Sequence, residues 1–584
     1  MNYPRFIISC VCLSFSLAVS ADSQMNFVVS ASRYVSTYPN SSTIGNDEIR
    51  RFKDFSVGDV LQSEPGIQAN RYGGKGGVNA LSLQGANSNQ TLILMDGVPL
   101  KNTVYGSVDL NNINLDQIHR IELYRGGMSS VYGADAVGGV VNLISAKHTN
   151  KSSVSFELGS YGNQNISLRL SQGTQESNYQ LGLIHGRYEG YQPVGYFNND
   201  NLLLEYNGVL GRDLRVRLSG SGYTDQRGNP AGPYSTSEQE DRGYMVLAQI
   251  RQMNENSETD KLYFTTKSDE RKSISGFVTD SKGWTNALGG SKEINVGDHA
   301  LIIGLETNQM IPQDSTLTQN ISLRNNAVFI NDDWVVSPWW RVNAGLRQDA
   351  HSTFGTADTY KVSTAFSIGN SCILKTSYGT SFRAPSIADL YYQDAWGNAG
   401  NPNLRPETAR NFDLEFSVKT PIGDFRSSCF EKKITDLIEW VSAADWSSSS
   451  PNNVGRARLS GIETEWSGTL TETVLYNVNW TQMLDASDEN SGKWLQYRAR
   501  TKINVGINVN LPLGSVAIRT NYVSERASST GGVLNLPQYY VADIDFTKDN
   551  ISLFMHNVFN RQYQEYLGYE MPGRTVGVKV SLSF

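Results

Sequence analysis

The sequence predicts an all-β transmembrane protein, a barrel of about 22 antiparallel strands with an N-terminal α+β plug domain in its lumen. Three observations point there. From about residue 150 onward, segments of roughly ten residues alternate apolar with polar and are separated by turns or polar loops, as strands with one face in lipid do. An export signal heads the chain. Between the two lies a glycine-rich stretch of mixed helix and strand character, long enough for a compact domain.

The signal comprises residues 1–21: Arg5 supplies the positive end, Phe6 to Val19 is mostly apolar, and Val19-Ser20-Ala21 is a small-residue cleavage pattern. A lipoprotein reading of Ile7-Ile8-Ser9-Cys10 fails because too little apolar chain precedes the cysteine. The formal net charge is -7, one unit more negative once Arg5 is removed, which argues against nucleic acid as a partner. A mean hydropathy of -0.38 would suit a soluble chain, but alternation gives the same average. Cys10 and Cys12 leave with the signal. Cys372 and Cys429 fall on strands with one strand, residues 409–418, between them, a separation of about 10 Å that exceeds disulfide reach. Two thiols without metal or catalytic role are expected.

Residues 22–35 open with "MNFVVSASR", an alternating strand-former with no neighbour to pair with, followed by polar "YVSTYPNSST". Residues 36–147 form the plug. Ser56-Val57-Gly58-Asp59 reads as a capping box opening a short helix that Pro65-Gly66 stops. After "RYGGKGGVNA" come the strands "LSLQG" and "TLILMDGVPL", with Asp96-Gly97 as a tight turn, then "RIELYRGG" and "SSVYGADAVGGVVNLIS". The run Gly73-Gly74-Lys75-Gly76-Gly77 lacks Walker A spacing and a following Ser or Thr, so its glycines serve backbone geometry rather than a nucleotide.

Residues 148–584 form the barrel. Val154, Phe156 and Leu158 alternate with Ser155 and Glu157; Leu214, Val216 and Leu218 alternate with Arg215 and Arg217. A soluble sandwich rarely keeps arginines inside, whereas a wide barrel turns them to water and its apolar set to lipid. In the closing "GRTVGVKVSLSF", Val576, Val578, Val580, Leu582 and Phe584 share one face. Hydrocarbon offers no partner to a strand edge, so the strands must close into a ring. At about 20 residues per strand and connection, the chain after Lys147 makes about 22. A ring that wide leaks unless its own leading domain stoppers it.

Several motifs, in order along nearly the whole mature chain, resemble TonB-dependent outer-membrane receptors: "MNFVVSASR", "VGDVLQSEPGI", "LILMDGVPL", "RIELYRGGMSSVYGADAVGGVVNLIS", "YGTSFRAPSIADLYY", "GNPNLRPETARNFDLEF", "NVGRARLSGIETEW" and "NVFNRQYQEYLGYEMPGRTVGVKVSLSF". Within that family the length and the "VVSASR" start are most similar to cobalamin receptors. The resemblance implies a Gram-negative outer-membrane location, a monomer surrounded by outer-membrane lipid, and a partner, TonB, energised by ExbB and ExbD. It also implies that Asn26, Phe27, Val28, Val29, Ser30 and Ala31 are the TonB box. An exposed extended peptide can add itself to a partner's sheet edge, although the same residues could instead begin the plug sheet.

Energetics fit that picture. A ligand held at nanomolar affinity is bound by about 12 kcal/mol, and the outer membrane has no nucleotide pool to drive release. Work must come from another membrane. No Ser/His/Asp or Cys/His pattern suggests an enzyme, and six scattered histidines make a metal cluster hard to assemble.

The expected cargo is cobalamin or a related corrinoid, with a siderophore or haem as the alternative, and a passive porin or an outer-membrane enzyme as a reading of another class. Ligand contacts are expected at the plug tips Asn70, Arg71, Tyr72, Asn102 and Tyr105, and at Tyr391, Tyr392 and Trp396 in an outer loop; each could instead serve a turn or an interfacial aromatic girdle. Arg125 matches the family's second plug arginine, which usually faces barrel glutamates, while Gln84 stands where the first is usual. No cofactor is required. Calcium could order the outer loops through Asp200, Asp225 and Asp241, with merely solvated acidic loops as the alternative.

Overall fold

A computed structural model describes residues 37–584 except 53–54, 146–150, 175, 212, 230–236, 255–256, 275–277, 319–320, 395–396, 443–447 and 529–534. The N-terminal domain contains β1 (Ser41–Ile44), α1 (Asn46–Ile49), α2 (Val57–Gln62), β2 (Ile67–Arg71), β3 (Asn79–Leu83), β4 (Thr91–Met95), β5 (Val98–Pro99), β6 (Ile118–Arg125), α3 (Ser129–Tyr132) and β7 (Gly139–Ser145). Its main sheet has the order β1-β6-β7-β4-β5, and β2 and β3 form a separate hairpin. Val60, Leu61, Leu83, Ile93, Ile121, Leu123, Val141 and Leu143 make a buried core between the helices and this sheet.

Local chemistry sets these elements. The Ser56 hydroxyl accepts from the Asp59 amide at 3.2 Å, while Asp59 Oδ2 accepts from the Ser56 amide at 2.9 Å, so the predicted capping box is present at α2. The helix ends at Gln62, ahead of Pro65 and the positive-φ Gly66. Asp96 and Gly97 both have positive φ, 53° and 85°, as a two-residue hairpin of the primed type requires, and they join β4 to β5.

Among the described residues, 22 antiparallel strands close the barrel. The last, Thr575–Ser583, pairs with Ile551–His556 on one side and with the first, Ser153–Gly159, on the other, setting Val580 opposite Phe156. Burial is inverted relative to a soluble protein. Outward residues such as Leu158 (57 % exposed) and Leu305 (65 %) are apolar, whereas lumen residues such as Lys432 (0 %) and Asp413 (1 %) are charged and buried. Only a lipid exterior makes that arrangement stable. Connections are short at one end, as at 421–422 and 512–513, and long at the other, as at 384–406, which marks the long-loop end as the outer one.

The plug fills the lumen. Tyr38 Oη donates to Asn343 Oδ1 at 2.8 Å, and Thr103 Oγ1 donates to Asp269 Oδ1 at 2.7 Å. Cys372 and Cys429 lie on the strands Cys372–Arg383 and Gly423–Ser442, which flank Glu407–Thr420, and no disulfide joins them.

Candidate ligand site and gate

Two plug tips reach the outer end of the barrel. The β2–β3 hairpin carries Asn70, Arg71 and Tyr72. Arg71 forks between barrel and plug: Nε donates to Glu565 Oε2 at 2.9 Å, Nη2 to Glu565 Oε1 at 2.5 Å, and Nη1 to Asp59 Oδ1 at 2.6 Å. Burial alone would lower the Arg71 pKa, but Glu565 and Asp59 outweigh it and hold the guanidinium well above its ordinary value. Asp59 thereby serves both this fork and the α2 cap. The Tyr72 ring stacks on Tyr566 at 4.1 Å and meets Tyr569 edge-on at 5.2 Å, and Tyr566 stacks in turn on Tyr497 at 4.2 Å. Burial, with Tyr566 adding to it, pushes the Tyr72 phenol well up, so it stays neutral. Asn70 Oδ1 accepts from Gln68 Nε2 at 3.1 Å.

The second tip spans residues 100–107. Asn102 Oδ1 accepts from the amides of Val104 and Tyr105 at 2.9 and 2.8 Å, forming the turn, and Asn102 Nδ2 donates to Asp269 Oδ2 at 2.9 Å. Tyr105, Tyr391 and Tyr392 all pack against one apolar cluster that includes Ile387, Leu390 and Leu404. Burial pushes the Tyr105 phenol up. The structure thus gathers the sequence-predicted residues into two groups, Asn70 to Tyr72 and Asn102 with the tyrosines. Trp396 and the segment Asn26 to Ala31 lie outside the described residues.

The three aspartates considered for calcium do not converge. Asp200 pairs with Thr224 across neighbouring strands, so Asp225, one residue on, points to the opposite face. Asp200 is exposed and contacts His185 at 2.8 Å. Asp225 and Asp241 face the lumen, where Arg227 and Arg271 occupy their oxygens: Arg227 Nε lies 2.9 Å from Asp225, and Arg271 Nε 2.9 Å from Asp241. Among the described residues no set of three or more metal-binding side chains comes together. This arrangement does not fit the several converging oxygens that calcium needs.

Midway down the lumen, Arg125 of β6 is buried at the junction of plug and wall. It donates to Glu64 Oε2 at 3.0 Å, to Pro65 O at 3.0 Å and to Asn40 O at 3.2 Å, with Glu463 of the wall at 3.9 Å. Asn40, near the N-terminal edge of the described chain, is held by Glu415 at 2.6 Å and Asp413 at 3.0 Å. Gly126 has a φ of +91°, and a Cβ there would come within 2.7 Å of an Asp413 oxygen, so only glycine brings the chain this close to the wall. Gln84 is fully buried, its amide facing Glu463 without a hydrogen bond of ordinary geometry.

Carboxylates outnumber guanidiniums here. Glu64 is pushed up to about 8, first by burial, then by Glu465, with Arg125 pulling the other way. A raised folded-state value means that the proton favours the seated plug. The contribution is whole below the ordinary 4.5, fades as pH rises, and is gone above about 8. Replacing Glu64 with Gln should therefore flatten the pH dependence of plug stability across that window, as read by denaturant unfolding at several pH values. An unchanged pH profile would contradict this assignment.

Sequence reasoning missed the partners on the barrel side: Glu565, Tyr566 and Tyr569 in the loop before the last strand, and Tyr497 in another. The tyrosines and glutamates of "NRQYQEYLGYE" were the available signal.

Comparison with known proteins agrees with this architecture. The family model "TonB dependent receptor-like, beta-barrel" matches residues 129–560, and "TonB-dependent Receptor Plug Domain" matches residues 35–140. The vitamin B12 transporter BtuB of Photobacterium profundum is 25 % identical, covering 97 % of both chains. BtuB of Vibrio vulnificus is 24 % identical over 94 % of this chain and 93 % of its own. Among solved structures, the siderophore receptor PirA from Acinetobacter baumannii superposes with a TM-score of 0.78 at 18 % identity, covering 93 % of this chain and 98 % of that one. The ferric enterobactin receptor PfeA from Pseudomonas aeruginosa gives a TM-score of 0.78 at 17 % identity, over 94 % and 100 %. These structures share the fold; at such identity they do not fix a ligand. The chain belongs to the TonB-dependent receptors, transport proteins built as a plugged 22-stranded barrel.

Proposed function

We propose that this receptor sits in the outer membrane of a Gram-negative bacterium and imports cobalamin or a related corrinoid as a monomer, drawing work from TonB and its ExbB and ExbD partners. The observation that carries the cargo reading is the outer plug tip. Its guanidinium, Arg71, is already neutralised by Glu565 and Asp59, and beside it stand the stacked rings of Tyr72, Tyr566 and Tyr497. Such a surface suits a large ligand without strong net charge, bound through ring faces and amide hydrogen bonds. The end-to-end likeness to vitamin B12 transporters supports the same reading.

One feature favours the siderophore alternative. Arg498, in the loop before the strand Thr501–Leu511, donates to Gly85 O at 2.9 Å and to the neutral oxygens of Gln496 and Asn87; among the described residues no carboxylate hydrogen-bonds it, Glu439 acting only at longer range, so its charge would welcome an anion. Calorimetric titration of the purified receptor with cyanocobalamin, a ferric catecholate and haem separates the two. The account expects heat with cyanocobalamin at micromolar protein; silence there with heat from an anionic complex would transfer the assignment. Tyr72→Ala should weaken binding of the true ligand roughly tenfold, about 1.4 kcal/mol, through loss of the stacked face. Affinity unchanged in that variant would remove the hairpin tip from the site.

A further inference from the structure

Three lysines of the barrel wall point into the plug and find main-chain carbonyls. Lys361 Nζ donates to Gly127 O at 2.9 Å, Lys432 Nζ to Gly138 O at 2.9 Å, and Lys502 Nζ to Ile67 O at 2.5 Å and to Gln62 O. All three are buried, and none forms an ion pair within 4.0 Å among the described residues. Lys375 and Lys267 repeat the pattern on Tyr38 O and Lys101 O, each with a wall carboxylate beside it. A buried ammonium without hydrogen-bond partners is very costly, so each lysine depends on the plug's carbonyls while the plug is seated.

The charges belong together as a wall unit. Asp413 and Glu463 act electrostatically on Lys432, and Asp413 acts on Lys361. From the plug, Glu463 faces one cation, Arg125 at 3.9 Å, and the neutral Gln84. The Gly138 carbonyl that Lys432 grips belongs to the same locality: a Cβ on Gly138 would lie 3.2 Å from Leu83 O, next to Gln84.

We propose that Lys361, Lys432 and Lys502 seat the plug by donating to its backbone, and that Lys361 and Lys432 thereby supply wall cations to Asp413 and Glu463 beside the plug's own Arg125. Two consequences follow. The plug is held through groups that no side-chain substitution in the plug removes. When the plug yields, Lys361 and Lys432 stay on the wall with Asp413, so Asp413 keeps its cations, whereas Glu463 and Glu565 part from the plug's Arg125 and Arg71.

The test uses full-length receptor in planar bilayers without TonB. The combined Lys361→Met, Lys432→Met and Lys502→Met variant should open to ion current at least about tenfold more often than the parent, with the barrel still folded by its heat-modifiable gel mobility. Lys432→Gln alone should leak measurably, and adding Gln84→Arg, which puts a second plug cation opposite Glu463, should reseal it. A triple variant as tight as the parent would overturn the proposal. So would a Lys432→Gln leak that Gln84→Arg leaves untouched; and if the triple variant fails to assemble, that swap decides the matter by itself.

Discussion

Deleting residues 25–31 abolishes accumulation of ligand inside the cell, while binding at the cell surface stays within about twofold of the intact receptor; this is the expected result if the leading strand-former is the handle for TonB. Binding and transport draw on different ends of the molecule. The proposed ligand groups lie at the outer loops, held among the described residues by contacts such as Arg71 to Glu565. Release requires work on the plug, and a strand that pairs with a partner's sheet edge transmits tension through several main-chain hydrogen bonds in parallel. Its expected point of entry into the plug is Asn40 and β1, clamped by Asp413, Glu415 and Arg426 of the wall. Labelled ligand measured on chilled cells and on respiring cells separates the two steps. Uptake surviving the deletion would show that the segment merely begins the plug sheet.

Arg125→Ala should cost the plug about 3–5 kcal/mol, because breaking a buried charged network leaves carboxylates without their counter-charge. Arg125 makes three hydrogen bonds within the plug and lies 3.9 Å from Glu463. Its removal takes the guanidinium away from Glu463 and Glu465 and leaves the Glu64 carboxyl, Pro65 O and Asn40 O without their donor at once. Arg125→Lys keeps the charge but loses the planar fork, so an intermediate loss is expected. Denaturant unfolding followed by plug-specific labels gives the difference, with barrel unfolding as the internal reference. A loss below about 1 kcal/mol for Arg125→Ala would mean that the cluster is solvated and does not hold the gate.

Much of the architecture was legible in the sequence because its causes are local. Alternation in "GRTVGVKVSLSF" encodes one lipid face and one lumen face, and Asp96-Gly97 encodes a hairpin through the φ angles it permits. Site residues were legible only in part. Arg71 lies at the end of the β2–β3 hairpin, but Glu565, which fixes its charge, lies 494 residues away in sequence, and no periodicity connects them. The acidic residues near 200, 225 and 241 look adjacent in sequence, yet strand parity sends Asp200 outward and Asp225 inward, and Arg227 and Arg271 satisfy the inward pair. Gln84 could be recognised as unusual from the sequence. That wall lysines donate to the plug's carbonyls required the closed barrel, because the contacts cross from one domain to the other.

The central claim is energised import through a self-plugged barrel, with cobalamin as cargo. Cells expressing this receptor as their only route for the vitamin, supplied with labelled cyanocobalamin at nanomolar concentration, test it most directly. Accumulation that requires TonB and stops when the inner-membrane gradient is collapsed is the predicted result. Entry that continues without TonB would contradict the gate, and TonB-dependent growth on a ferric siderophore with no cyanocobalamin uptake would contradict the cargo.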